Sequence, residues 1–161
     1  MNLARPPALW LVAPLLVLSA VSAAATVGAP WLAGWPLLLV GLSPRLPFLA
    51  IAAPQVGLVP FLLVGTFRLC AGDPFHFLLG RRVAQGAAVQ SRFRRIAGIT
   101  RLAHRPNSKR AAAVAVLMRP IGRHLALAGA AGVPAGVVTA LDVAGTLAYL
   151  AAVRAGGSFL L

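Results

Sequence analysis

Residues 31–53 read WLAGWPLLLVGLSPRLPFLAIAA, an apolar stretch that Pro44, Arg45 and Pro47 interrupt in its middle. A proline inside a helix removes one backbone hydrogen bond, and its ring clashes with the preceding turn. Two half-length helices that meet at residues 43–47 therefore fit this stretch better than one straight span. Because irregular backbone inside a membrane is tolerated only where protein or a wet cavity surrounds it, the stretch is a candidate re-entrant hairpin.

The composition around this stretch predicts an integral membrane protein. Of 161 residues, 60% are apolar and only 11% are charged, whereas a soluble domain is about half apolar and roughly a quarter charged. No ionisable side chain occurs in residues 7–43, and a second uncharged run covers 46–67. A spanning helix needs about 20 such residues. These properties exclude a soluble enzyme or a soluble nucleic-acid binder.

The net charge of +13 comes from 15 basic residues against only Asp73 and Asp142. Nine of the basic residues fall in the segment 81–110, between two hydrophobic halves. Lys/Arg-rich short loops stay on the cytoplasmic side, so this segment is predicted to be cytoplasmic in a multi-pass protein of the cell membrane. Aromatic residues on which bases could stack are nearly absent there, which favours lipid headgroups over nucleic acid as its partner.

The chain divides into four parts of one membrane domain. Residues 1–27 contain an apolar helix over 8–27; it is longer than a typical signal-peptide core, so an uncleaved helix is preferred over a signal peptide. Residues 30–72 hold the first hairpin and a span over 55–71. Residues 73–110 form the basic segment, beginning with a helix along the membrane surface. Residues 111–154 hold a second broken stretch and a last span.

The second broken stretch repeats the first. Residues 121–131 match residues 43–53 at five of eleven positions, and Arg45 pairs with Arg123 in this alignment. If the basic segment is cytoplasmic, the two hairpins enter from opposite sides. The predicted fold is therefore an all-α integral membrane protein with an inverted repeat of re-entrant hairpin plus transmembrane helix, and an extra N-terminal transmembrane helix. Interrupted hydrophobic segments at matching positions are typical of a transporter's substrate site.

Two motifs resemble the DedA family, also called the SNARE-associated Golgi or VTT-domain family. Residues 72–82, GDPFHFLLGRR, resemble its G-D-x-x-x-Y-x-x-G-R element, and residues 119–123, RPIGR, resemble its arginine, proline, glycine and arginine cluster. The resemblance covers about residues 37–153. The family's Pro-Gly-Glu near the first hairpin is Ser-Pro-Arg at 43–45 here, and the chain has no glutamate.

The resemblance implies two opposed re-entrant hairpins and a function in moving or scrambling lipids. The expected partners are membrane lipids, either a polyprenyl phosphate or an anionic phospholipid. No cofactor is expected, and the oligomeric state, including a homo-oligomer, stays open. The alternative is a non-transporting membrane scaffold, whose basic cytoplasmic loop binds anionic lipid or a partner protein.

The candidate substrate-binding residues are Arg45, Arg119 and Arg123. A guanidinium group holds phosphate oxygens through two parallel hydrogen bonds, and a hairpin tip places it in a wet cavity. The alternative for each arginine is that it reaches to the membrane interface or bonds the free carbonyls of a helix break. The structural breaks themselves are assigned to Pro44, Pro47, Pro120 and Gly122.

The remaining ionisable candidates are Asp142, Asp73 and His124, for proton transfer or ion pairing. Asp73 precedes Pro74 and suits a helix cap, although a pair with a nearby arginine is an alternative. Asp142 lies inside the last span with no charge near it in sequence, so a proton carrier and an ion pair with an arginine of the second break are both open. His124 is of the residue type that titrates near physiological pH.

No pattern in the sequence indicates catalysis or a metal site. Cys70 is the only cysteine, which excludes an intrachain disulfide and a cysteine-cluster metal site. The histidines at the basic segment have no acidic or cysteine neighbours in sequence, so no metal is expected there. No nucleophile motif, phosphate-binding glycine loop or paired carboxylates occur in the sequence.

Overall fold

The computed structural model describes residues 9–85, 108–118 and 122–157, and every regular element in these ranges is an α-helix. The helices are α1 (Leu9–Val27), α2 (Ala29–Leu32), α3 (Pro36–Leu42), α4 (Leu46–Gln55), α5 (Leu58–Cys70), α6 (Asp73–Gln85), α7 (Ser108–Met118), α8 (Gly122–Ala130) and α9 (Ala135–Gly157). Most of the basic segment, and Arg119 and Pro120 at the second break, lie outside the described residues.

Within the described ranges, three segments are long and apolar enough to cross a membrane: Trp10–Val27, Leu58–Ala84 and Ala135–Gly156. Many outward side chains on and beside them are large and hydrophobic; Trp31 beyond α1 and Phe67 on α5 are each 80% exposed. Such a surface would be costly in water and is suited to lipid. The prediction of an all-helical chain, with helices long and apolar enough to span a membrane, is confirmed for the residues that the structure describes.

Prolines mark several helix starts. Pro36 opens α3, Pro47 lies in the first turn of α4, and Pro74 lies in the first turn of α6. At these positions the missing N–H costs nothing, because the first-turn N–H groups have no partner within the helix. The interruption predicted in residues 31–53 is confirmed: α3 ends at Leu42 and α4 begins at Leu46.

The helix α6 differs from its prediction. It was expected to lie along the membrane surface, but it packs against α8 and α1 and continues α5 across a turn at residues 71–72. Glycines permit a very close approach: a methyl group on Gly80 would overlap the carbonyl of Ala126, and one on Gly129 would overlap the carbonyl of Phe77. Small residues allow helix backbones to approach in this way in membranes.

The α5–α6 segment runs antiparallel to α9. Along the α5–α6 segment, three residues contact α9 in turn. Phe61 lies beside Arg154, Gly65 contacts the side chain of Leu150, and the Cys70 thiol donates a hydrogen bond to the Thr146 hydroxyl. The residue numbers therefore fall on α9 as they rise on α5 and α6. This register brings Asp73 opposite Asp142, near the middle of both segments.

The two halves of the chain pack by the same rule. The first arm of each broken stretch, α3 or α7, packs against the span of its own half, which is α5 or α9. The second arm packs against the span of the other half, so that α4 contacts α9 and α8 contacts α6. Two hydrophobic cores result, one around Leu49 and Phe61 and the other around Phe77 and Leu125.

Candidate functional site

Side chains of α1 and α5 satisfy the backbone at the first break. Arg68 donates to the carbonyls of Leu18 and Leu42 at 3.1 and 3.2 Å and to Ser22 Oγ at 2.8 Å. Ser22 Oγ donates to the same Leu42 carbonyl at 3.1 Å. Within the break, the N–H of Arg45 donates to the carbonyl of Ser43 at 2.8 Å, which closes a three-residue turn over Pro44. The break is therefore held between two spanning segments by charged and hydroxyl groups.

A basic cavity of about 330 Å³ opens at this break. We call it the basic cavity; Arg45, Arg68 and His76 supply its nitrogen-bearing side chains, and Ser19 and Asp73 line other parts of its wall. The guanidinium of Arg68 is oriented by its bonds to α1 and α3, whereas the side chain of Arg45 is exposed. Positive charge beside hydroxyl groups is the environment that binds an anion such as a phosphate.

The start of α8 reaches the same place through His76. The ring of His76 is anchored by a 3.0 Å hydrogen bond between Nδ1 and the carbonyl of Gly72. A side chain on Gly122, the first residue of α8, would overlap this ring. The start of α8 therefore packs on a residue that also lines the basic cavity beside Arg45.

An apolar groove of about 680 Å³ lies next to the basic cavity. Trp10, Pro14 and Val17 of α1 face Ala71 and Phe75 across it. Leu18 lines both the groove and the basic cavity. A polar compartment and an apolar one are thus neighbours on adjacent faces of α1, with Leu18 between them.

The chain's only two acidic residues meet on the other side of the α5–α6 turn. Cys70, Asp73 and Asp142 place one sulfur or carboxylate oxygen each within 4.8 Å of one another. They line a cavity of about 380 Å³ that Arg81 and Leu78 also border. Since Asp73 lines this cavity and the basic cavity, it forms a common wall between them.

The candidate arginines have different surroundings. Arg45 lines the basic cavity, as an anion-binding role requires. Arg123 is exposed on α8 and is absent from the wall of the basic cavity as far as the described residues define it. Arg119, and Pro120 with it, lie outside the described residues, so their predicted roles stay predictions. Pro44 lies at the first break, and Gly122 opens α8.

The acidic candidates are brought together, although they lie in opposite halves of the sequence. Asp73 begins α6, close to the cap position that was predicted, and its carboxyl group lies against Asp142. In the cluster of described residues, the charged group beside Asp142 is the carboxyl group of Asp73. His124 is half-buried on α8 and makes contacts of its own.

Sequence reasoning missed Arg68, His76 and Cys70 as parts of these sites. A signal for Arg68 was present, because it is the first charge after the uncharged run 46–67. Cys70, Asp73 and His76 follow at intervals of three residues, which places them near one another on consecutive helical turns. That Asp142 completes the cluster depends on the antiparallel register of α9, which no local pattern encodes.

A comparison of the chain with protein-family models, with curated proteins and with solved structures finds no match. The function is therefore inferred from the geometry of the basic cavity and the adjoining apolar groove.

Proposed function

We propose that this protein moves or scrambles an anionic lipid across the cell membrane, with the headgroup held in the basic cavity. The observation that carries the proposal is the basic cavity itself, where Arg45, Arg68 and His76 surround about 330 Å³ at a helix break. Charged side chains inside spanning segments are costly, and they are typically found where a protein provides a polar pathway.

The chemistry of the cavity suits a phosphate. Arg45 is exposed and can turn both of its terminal nitrogens toward two phosphate oxygens. Arg68 adds charge from a fixed position, and the imidazole of His76 lies on the same wall. We propose that Arg123, and Arg119 with it, assist from the second break, because Gly122 packs against His76.

The adjoining apolar groove favours a lipid over a soluble anion. A headgroup in the basic cavity would place the acyl chains of the same molecule against Trp10, Val17 and Phe75. Leu18, which lines both compartments, marks the boundary where a lipid changes from polar to apolar. An inorganic phosphate would make no use of the groove.

The matching packing of the two halves supports an inverted repeat with two re-entrant hairpins, as the DedA-like motifs imply. Each first arm packs on its own span and each second arm on the opposite span. In transporters built in this way, one half rocks against the other around a fixed site between them. The proposed orientation places the basic segment 81–110 in the cytoplasm.

The experiment is a lipid-movement assay on the full chain in vesicles of phosphatidylcholine and phosphatidylglycerol, using headgroup-intact fluorescent phosphatidylglycerol and chemical quenching of the outer leaflet. Arg45→Gln removes one cavity guanidinium. We expect it to slow the movement about tenfold or more, because a charge-assisted hydrogen bond contributes roughly 1.5–3 kcal/mol. The matched control is Arg110→Gln, which removes an exposed arginine of α7.

The two variants also separate transport from the scaffold alternative. Loss of movement in Arg45→Gln with normal movement in Arg110→Gln supports the proposal. Movement by Arg45→Gln at the wild-type rate would refute it, as would a wild type that moves lipid no faster than protein-free vesicles. If neither the wild type nor either variant moves lipid, and binding to anionic vesicles falls in Arg110→Gln, the scaffold is favoured instead.

A further inference from the structure

We infer that Cys70, Asp73 and Asp142 form a binding site for a single divalent transition-metal ion, between the two long spanning segments. The sulfur and the two carboxylate oxygens all lie within 4.8 Å of one another. In a tetrahedral zinc site, with bonds of about 2.0–2.3 Å, neighbouring ligand atoms are roughly 3.3–3.7 Å apart. Side-chain movements of about an ångström would therefore close the cluster around an ion.

An unpartnered buried oxygen in the cluster also favours a bound cation. Asp142 is only 4% exposed, and its Oδ1 has no hydrogen-bond partner among the described residues. Asp73 is 8% exposed and faces it. A buried carboxylate is costly unless it is paired, and here two lie side by side. A divalent cation would neutralise both charges and bond the free oxygen.

The fold presents all the ligands toward one point. Cys70 ends α5 and Asp73 begins α6, so the turn between these helices holds both side chains on the same side. Asp142 and Thr146 lie one helical turn apart on α9, and Cys70 Sγ is 3.7 Å from the Thr146 hydroxyl. Thr146 is therefore placed to contribute a fourth, neutral ligand.

The donor set selects the class of ion. Calcium and magnesium take oxygen ligands and do not use thiols, whereas Zn²⁺, Cd²⁺ and Co²⁺ bind sulfur together with carboxylates. The nearest described basic group on the cavity wall is Arg81, which lies two helical turns beyond Asp73 on α6. That separation is about 12 Å along the helix axis, so the backbone of Arg81 lies well away from the cluster.

The cavity of about 380 Å³ beside the cluster gives an ion a way to reach it. The metal site is distinct from the basic cavity, although Asp73 borders both. If no metal binds there, the proposed lipid movement is unaffected. If no lipid moves, the proposed metal site is likewise unaffected.

The test is a titration of the chelator-treated, full-length protein with Co²⁺ in detergent. Because Cys70 is the only cysteine, any thiolate-to-cobalt charge-transfer absorption in the near ultraviolet must come from this residue. We expect one ion per chain and a band that Cys70→Ser abolishes. Asp142→Asn should weaken Co²⁺ binding well over about tenfold, since even groups that only orient a ligand contribute 10–100-fold. Thr139→Ala, an exposed cavity position outside the cluster, is the matched control and should bind normally.

A second measurement uses the wild type alone. Zn²⁺ should protect Cys70 from alkylation by a maleimide, and Mg²⁺ should not. The inference is overturned if the wild type shows no band and no protection, or if His76→Gln removes the band while Asp142→Asn retains it. It is also overturned if infrared spectra show that the carboxyl pair stays protonated at saturating Co²⁺, because the pair then holds a proton in place of the metal.

Discussion

Replacing Arg68 should open the first helix break. Arg68→Gln removes the donor of three hydrogen bonds of 2.8 to 3.2 Å, which bridge α1, α3 and α5. A hydrogen bond from a charged donor contributes roughly 1.5–3 kcal/mol. The three do not add fully, because the Leu42 carbonyl also accepts from Ser22 Oγ and the Leu18 carbonyl lies inside α1. We therefore expect the free energy of unfolding to fall by about 2 kcal/mol, the worth of one such bond.

The assay is equilibrium unfolding of the full chain in mixed micelles, with hydrogen exchange reporting on the end of α3. A loss of about 2 kcal/mol corresponds to roughly 4–8 °C in Tm for a chain of this size. Faster exchange should be confined to the residues around Ser43. Arg68→Lys should recover part of the loss, because an ammonium group can reach one of the acceptors. If Arg68→Gln is no less stable than Arg110→Gln, which removes an exposed arginine, the Arg68 hydrogen bonds do not stabilise the break.

Three further predictions concern contacts that hold the helices in place. Gly80→Leu should separate α6 from α8, because the leucine side chain would overlap the Ala126 backbone. We expect the free energy of unfolding, measured in mixed micelles, to fall by about 3 kcal/mol or more. Arg154 donates at 2.7 and 2.8 Å to two carbonyls at the C-terminal end of α4. Arg154→Gln should therefore lower the free energy of unfolding by about 1–2 kcal/mol and loosen this end of the helix. Unchanged hydrogen exchange at the end of α4 would contradict this expectation. Gly122→Val should displace the ring of His76, visible as a shift of its NMR signals, and a spectrum identical to the wild type would show that the second break does not contact this ring.

The first break was predictable because its cause is local. Pro44 and Pro47 prevent a continuous helix in any surroundings, so the sequence predicts the interruption, and the structure has it at residues 43–45. Which groups satisfy the open carbonyls was not predictable in this way. Arg45, the arginine in the break, is exposed, and Arg68 bonds the break from another helix.

The position of α6 shows a second limit of the sequence. Its mixture of apolar residues and arginines resembles a surface helix. Its packing, however, depends on the close contacts of Gly80 with Ala126 and of Phe77 with Gly129. Ala126 and Gly129 lie on α8, in the other half of the chain. The cluster of Asp73 and Asp142 has the same origin, since it arises only where two long segments cross. Local patterns predict where helices begin and end, and the partners of each helix follow from long-range packing.

Photo-cross-linking can show whether an anionic headgroup enters the basic cavity. A photo-activatable phenylalanine placed at Ser19, on the cavity wall, should cross-link phosphatidylglycerol, and Arg45→Gln should reduce this adduct strongly. The same probe at Phe67, on the outer face of α5, should cross-link phosphatidylglycerol and phosphatidylcholine alike, whether or not Arg45 is present. If the adduct at position 19 shows no preference for the anionic lipid and no dependence on Arg45, anionic headgroups do not occupy the basic cavity and the proposed lipid movement is wrong.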